Sequence, residues 1–270
     1  MPVTIGILQA GYGVNVSENV SKTINLIEKN YSKADLIILP EYSMVNILAG
    51  LKPDDVYNAA EPLEESNYLS RLEDLASELN VHILAHFIEK TGNPPLARST
   101  SVLIKPFGGW EPVYSKMHLF DAYGYSESKY FIPGEKPSKE ILLKGMRFAV
   151  AICYDLRFPE LFRHYARRGI ETILVHSGWV RGPLKEETLE FLSRARAHEN
   201  TVWIVVADHY GENYVGRSMV IDPYGVKQLD LGIGEKYVEY TIDKELVYEA
   251  RKTIPALMKS IEKWEISYKS

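Results

Sequence analysis

A single cysteine, Cys153, occurs in 270 residues. No intrachain disulfide is therefore available, and the chain reads as one expected in a reducing compartment, the cytoplasm. Long apolar runs are missing too: stretches such as TVWIVVA fall far short of the roughly 20 residues a membrane-spanning helix needs. Blocks of like charge are absent; 31 basic and 36 acidic residues are scattered, net −5, which leaves no basic face for nucleic acid or anionic lipid. Met1 leads almost directly into the strand-like VTIGILQ, without the basic and small-residue signature of a secretory leader. Low-complexity linkers and repeats of solenoid period are lacking as well.

What is present is the composition of a globular protein, 46% hydrophobic and 25% charged, at a length that layered α/β folds still manage as one domain. Residues 1–270 are accordingly expected to form a single unit. TIGIL precedes the helix-like SENVSKTINLIEKN, where Val20, Ile24, Ile27 and Tyr31 share a face, and DLIILP follows as a strand apolar on both sides. EESNYLSRLEDLASELN carries Leu69, Leu72, Leu75, Ala76 and Leu79 on one stripe before the strand VHILAHFIEK. The middle, RSTSVLIKPFGGW, EPVYSKMHLF and KEILLKGMRFAVAIC, predicts strands joined by Gly and Pro turns as antiparallel neighbours. Helix and strand alternate again through PELFRHYARRG, ETILVHS, KEETLEFLSRARAHEN and TVWIVVADHY, and the tail, about 244–270, predicts helix interrupted at Pro255. Strands apolar on both faces, flanked by helices in each half, fit an α-β-β-α sandwich of two mixed sheets; one mixed sheet is the alternative.

Several motifs fail on inspection. GYGVNV stands where a dinucleotide-binding loop would, but Val16 takes the place of the third glycine that lets helix and strand pack closely, so nucleotide binding is the weakest reading. HENTV has Val202 where a zinc-protease helix needs its second histidine, and His82 with His86 lack a third clustered ligand, so no metal is expected. GRSMV lacks the closing glycine of a nucleophile elbow at Ser218.

Cys153 ends the run MRFAVAIC, and Pro159 with Glu160 opens the next helix, because proline suits the first helical position and a carboxylate the positive helix end. The thiol thus lies at a strand end, where α/β folds collect ligands. Free cysteine is also among the most buried residue types, so small core filler is an equal reading of this stretch alone. Glu41 directly follows DLIILP, and Lys116 is a polar interruption in YSKMHLF. On position alone each reads better as an ordinary solvated charge, Glu41 in a loop and Lys116 on the surface.

Taken together, LPEYS, YSKMHLF and CYDLRFPEL resemble, in order and separation, the glutamate, lysine and cysteine blocks of the nitrilase superfamily of carbon-nitrogen hydrolases. GYSESKYFIPGE resembles the segment bearing that family's second glutamate, here Glu127, and ARAHENTVWIVVAD with GRSMVIDPYG resembles its C-terminal half. The resemblance implies catalytic Glu41, Lys116 and Cys153: thiol attack on an amide or nitrile carbon, release of ammonia or an amine, and hydrolysis of the thioester, with no cofactor. The chemistry explains the residue types. An ordinary thiol, pKa near 8.5, is only a few per cent thiolate at neutral pH, so Glu41 serves as base. A preorganised donor for the oxyanion is worth about 10²- to 10³-fold in rate, the part assigned to Lys116 and the Tyr154 N–H. A cation beside Cys153 is expected to favour the ionised thiol, and Glu127 to position Lys116 or the substrate nitrogen.

CYDLRFPEL looks closest to the omega-amidase and deaminated-glutathione amidase branch, which act on small carboxylated amides; nitrilases usually carry Trp and Glu where Tyr154 and Asp155 stand. Nitrile or N-carbamoyl hydrolysis, acyl transfer, and a non-catalytic binding role are the alternatives. Arg157 either pairs with a substrate carboxylate or anchors the bend. Ser177 and Trp179 resemble the pocket wall, where His176 is unexpected, and Asp208 replaces a common Asn. The resemblance also implies a homodimer or larger assembly through PELFRHYARRG, KEETLEFLSRARAHEN and the tail.

Overall fold

Strand β1 (Val3–Gln9) leads to helix α1 (Val16–Asn30), β2 (Leu36–Ile38), α2 (Pro53–Ala59), α3 (Asn67–Leu79), β3 (His82–Glu89), β4 (Arg98–Ile104) and β5 (Trp110–Ser115). Two short hairpin strands, β6 (Asp121–Ala122) and β7 (Tyr125–Ser126), precede β8 (Ile141–Leu143), β9 (Met146–Ile152), α4 (Pro159–Arg167), β10 (Thr172–Ser177), α5 (Lys185–Asn200) and β11 (Trp203–Asp208). The hairpin β12 (Tyr210–Gly211) and β13 (Tyr214–Val215) is followed by β14 (Met219–Ile221), β15 (Lys227–Asp230), β16 (Lys236–Ile242), α6 (Lys244–Thr253) and α7 (Ala256–Lys263). This computed structural model describes residues 1–265, so the last five residues of the expected helical tail lie outside the described residues.

Two six-stranded sheets result, ordered β16-β1-β2-β3-β4-β5 and β15-β14-β11-β10-β9-β8. Parallel strands occupy each centre, β1-β2-β3 and β9-β10-β11, with antiparallel strands outside. Period-2 alternation explains why the strands are apolar on both faces. Val3, Ile5, Ile7, Leu36, Ile38 and Leu84 meet the second sheet in one core, while Leu8, Ile37, Ile83 and Phe87 join α1 and α3 in another. The single-domain α-β-β-α sandwich is the architecture, and the single mixed sheet is not.

Local signals act as their chemistry predicts. Asn15 caps α1 by accepting the Glu18 N–H, Ser66 caps α3 by accepting the Leu69 N–H, and Asn80 ends α3 in the left-handed region at φ 50°. The buried face of α1 is Asn19, Val20, Thr23 and Ile27, so Val20 and Ile27 lie where expected while Ile24 and Tyr31 are half-buried. A larger departure concerns the middle segments. β4 and β5 are antiparallel neighbours, but β8 and β9 belong to the second sheet. Gly and Pro turns specify a reversal without specifying which sheet receives the next strand. β5 also ends at Ser115, so Lys116 stands beyond the ladder.

Candidate active site

Glu41 lies three residues beyond β2, where Pro40 carries the chain out of the sheet. Its N–H donates to the Ser177 carbonyl of β10, 3.2 Å, tying the first sheet's loop to the second sheet's strand end. Tyr42 then adopts φ 61°, a left-handed conformation costing a non-glycine residue about 1–2 kcal/mol. Strain of this kind persists where surrounding contacts over-determine the backbone.

Lys116 follows β5 directly, its N–H donating to the Ser99 carbonyl at 2.9 Å. Its buried Nζ donates to Glu41 Oε1 and Glu127 Oε1, both at 2.8 Å. Glu127, fully buried in a 3₁₀ turn, also accepts from the Tyr42 hydroxyl and the Phe120 N–H. It stands behind Lys116 and does not line the cleft.

Cys153 opens a 3₁₀ turn, Cys153–Arg157, interposed between β9 and α4. Its φ of 45° is again left-handed. Asp155, which the sequence does not single out, braces this turn. One carboxylate oxygen accepts the Ile152 N–H at 2.9 Å and the Tyr114 O–H at 2.8 Å, and the other accepts His118 Nδ1–H at 2.7 Å. Tyr114 and His118 flank Lys116, so one buried carboxylate joins the nucleophile's turn to the lysine's segment. The Tyr154 N–H is among the first of that turn, which have no acceptor within it.

Glu41, Lys116 and Cys153, brought from three separate segments, share one cleft with Tyr42, Tyr125, Tyr154, Arg157, Gly178, Trp179 and Lys185. At Gly178 a Cβ would stand 3.0 Å from Glu41 Oε2 and 3.2 Å from the Tyr42 and Tyr214 rings, so the wall needs glycine there. Trp179 lines the cleft, whereas Ser177 is fully buried behind it beside Asp208. The Arg157 guanidinium lies 5.1 Å from the Trp179 ring centroid and 5.8 Å from that of Tyr154, and its Nε has no hydrogen-bond partner. It forms no ion pair among the described residues, so it does not anchor the bend by a salt bridge. Lys185, also missed in the sequence, sets its ammonium 3.7 Å from the Tyr123 ring centroid at the mouth.

Burial sets the protonation states. Burial drives the Glu41 carboxyl up and Lys116 pulls it back, leaving it above the ordinary glutamate range. Burial works against the Lys116 ammonium, but the Glu127 and Glu41 carboxylates outweigh it and hold Lys116 firmly charged. The Cys153 thiol is pushed well above its usual value by burial and by Glu41, with Lys116 opposing. Lys116 favours the ionised form of both groups, as expected, but desolvation and the Glu41 charge exceed its effect on the sulfur, so the thiol needs a base. Glu41 Oε2, free of other hydrogen bonds, is placed to receive its proton. Burial likewise raises Asp208 well above the usual carboxylate range while its Oδ1 accepts the Trp179 N–H at 2.8 Å.

A buried carboxylate, an ammonium and a thiol thus converge on one cleft, the set of groups that amide hydrolysis through a thiol requires. Residues 4–252 match the carbon-nitrogen hydrolase family: the chain belongs to that family, within the nitrilase superfamily, and is an enzyme of this class. A hydrolase of Mycobacterium tuberculosis is 30% identical over 242 residues, 83% of each chain. The omega-amidase NIT3 of Saccharomyces cerevisiae is 30% identical over 255 residues, 88% of this chain and 85% of that one. The solved structure of Saccharomyces cerevisiae Nit3, a branch 10 member of the superfamily, superposes with a TM-score of 0.81 at 25% identity, covering 94% of each chain.

Proposed function

We propose that this hydrolase cleaves the C–N bond of small amides bearing a carboxylate, through a thioester on Cys153. One observation carries the reading: a Glu41-Lys116-Cys153 constellation faces a cleft where, among the described residues, no carboxylate pairs with the Arg157 guanidinium. A cation held among aromatic rings without a partner fits an anionic ligand group, and the unpartnered Nε1–H of Trp179 adds a donor on the same wall. Lys185 at the mouth favours the same sign of charge.

In the proposed cycle Cys153 Sγ bonds to the amide carbon as its proton passes to Glu41 Oε2. The oxyanion meets Lys116 Nζ and the Tyr154 N–H. Glu41 then gives the proton to nitrogen, the C–N bond breaks, and ammonia or an amine leaves. Water, activated by Glu41, attacks the thioester and returns the thiol. Glu127 positions Lys116; Ser177, out of contact with the cleft, supports the wall rather than the ligand.

The test is a panel of carboxylated amides, uncharged amides, N-carbamoyl compounds and nitriles assayed for ammonia, with the Cys153 acyl adduct trapped by mass spectrometry. Carboxylated amides are expected to be best. Arg157→Met should raise their KM about 10- to 100-fold, the worth of one charged hydrogen bond, and leave uncharged amides unchanged; preference for nitriles or for uncharged amides overturns the reading. A cytoplasmic location and assembly of two or more copies through α4, α5 and the tail belong to the same proposal. Phe191 and Met258, 67% and 55% exposed on α5 and α7, support the assembly.

A further inference from the structure

Two buried histidines take no part in the chemistry above, yet both grip the chain that carries Glu41. His86 of β3 and His176 of β10 come from opposite sheets, are fully buried, and approach each other at 6.0 Å between ring centroids. Aliphatic side chains would fill this interlayer space without bringing polar atoms into it. The partners of the rings explain their presence. The Leu39 N–H still bonds across the sheet to the Leu84 carbonyl, 3.0 Å. Beyond it the ladder ends at Pro40, so the Leu39 carbonyl and the Tyr42 N–H need other partners. His176 Nδ1 meets the Leu39 carbonyl at 2.6 Å, and His86 Nδ1 meets the Tyr42 N–H at 3.1 Å.

Those two backbone groups fix the tautomers. A carbonyl only accepts, so His176 carries its proton on Nδ1, and Nε2 accepts from the Ser101 hydroxyl, 2.8 Å. An amide N–H only donates, so His86 is bare at Nδ1 and donates from Nε2 to the Ser99 hydroxyl, 2.8 Å. Burial lowers both imidazoles, His176 to about 4, and so keeps the rings in these neutral forms. Ser99 reaches further, since its carbonyl also holds the Lys116 N–H.

We propose that His86 and His176 are positioning residues, a neutral clamp that brackets Pro40 and Glu41 by the Leu39 carbonyl and the Tyr42 N–H and so aims the Glu41 carboxylate at Cys153. The proposal rests on the reading of Glu41 as the base of the reaction. It accounts for the left-handed Tyr42, whose N–H is held by one ring of the clamp, and for His176 in a pocket-wall segment where an imidazole is otherwise unexplained.

The test is burst kinetics of the full chain with 4-nitrophenyl acetate, whose leaving group needs no proton. The burst amplitude counts intact Cys153 sites, and the steady rate per site reports water attack on the acetyl thioester, the slower of the two steps that use Glu41. Glu41→Gln, which removes the acceptor of the thiol proton and the base for water, should slow the burst and lower the steady rate at least about 100-fold. His86→Leu and His176→Leu, which keep volume and lose the bonds, should keep most of the burst and lower the rate per site about 10- to 100-fold, as for a misplaced catalytic group. His86→Asn and His176→Asn, smaller but able to reach the same backbone groups, should recover most of that loss. Should the leucine variants fail to fold, Ser99→Ala and Ser101→Ala, which free the far side of each ring, should lower the rate per site several-fold.

Normal rates per site in the histidine and serine variants, with Glu41→Gln impaired, overturn the clamp alone. Recovery by leucine rather than asparagine does the same, because packing volume is then the requirement. An unimpaired Glu41→Gln, or no burst in the parent protein, overturns the catalytic reading and the clamp with it.

Discussion

Asp155 marks the difference between residues that do chemistry and residues that hold it. Its oxygens accept from Ile152, Tyr114 and His118, on both sides of the gap between the nucleophile's turn and the lysine's segment. Asparagine at this position has one acceptor oxygen where the carboxylate has two, so Asp155→Asn leaves buried donors unpaired. Hydrogen bonds to a charged group are worth about 1.5–3 kcal/mol each, and a loss of about 3 kcal/mol in urea unfolding is expected, with a lower yield of alkylatable, correctly placed Cys153. A urea midpoint equal to that of the parent would show that the brace is redundant. Glu41, Lys116 and Cys153 were legible because each interrupts or ends an apolar run inside a block of recognisable spacing. Asp155, Tyr42, His86 and His176 were not, because their meaning lies in partners 37, 85, 44 and 137 positions away.

At the scale of elements, the helices and central strands follow from periodicity and capping, signals contained within a few turns of chain. The destination of β8 and β9 does not, since a turn reverses the chain with equal ease into either sheet. Local signals also fail to show that Cys153 opens a 3₁₀ turn before α4, because its left-handed φ depends on the anchors around it. The outward faces of α5 and α7 carry exposed Phe191 and Met258, and the proposed assembly is tested there. Light scattering is expected to give at least a dimer, and Phe191→Glu to weaken it. A parent chain that is monomeric at micromolar concentration would exclude this use of the helices.

For the whole molecule, the polar interior of the sandwich couples stability to pH. His176 has its pKa lowered to about 4 in the folded chain, against an ordinary 6.5 when unfolded. Between those values the unfolded state binds more protons. The contribution is therefore fully present above about pH 6.5 and is lost as pH falls, about 3 kcal/mol being gone by pH 4. Buried Glu41 and Asp208, both raised, have the opposite sign, so the measurement is a comparison with His176→Asn. Unfolding free energies at pH 7 and pH 4 should differ by about 3 kcal/mol less in the variant; equal differences would mean that His176 is not held neutral by the fold.

By itself the sequence determined the layered α/β class, the positions of most helices and strands, and which glutamate, lysine and cysteine meet in the cleft. Those depend on short-range periodicity, on capping, and on residue types the chemistry requires. Only the tertiary structure decided that burial and Glu41 together raise the thiol against the pull of Lys116, that Glu127 stands behind Lys116 and Ser177 behind the wall, and that Arg157 has no carboxylate of its own among the described residues. Each of these is a matter of desolvation or of pairing between distant segments. Burial and mutual distance are created by packing the two sheets together and have no counterpart along the unfolded chain.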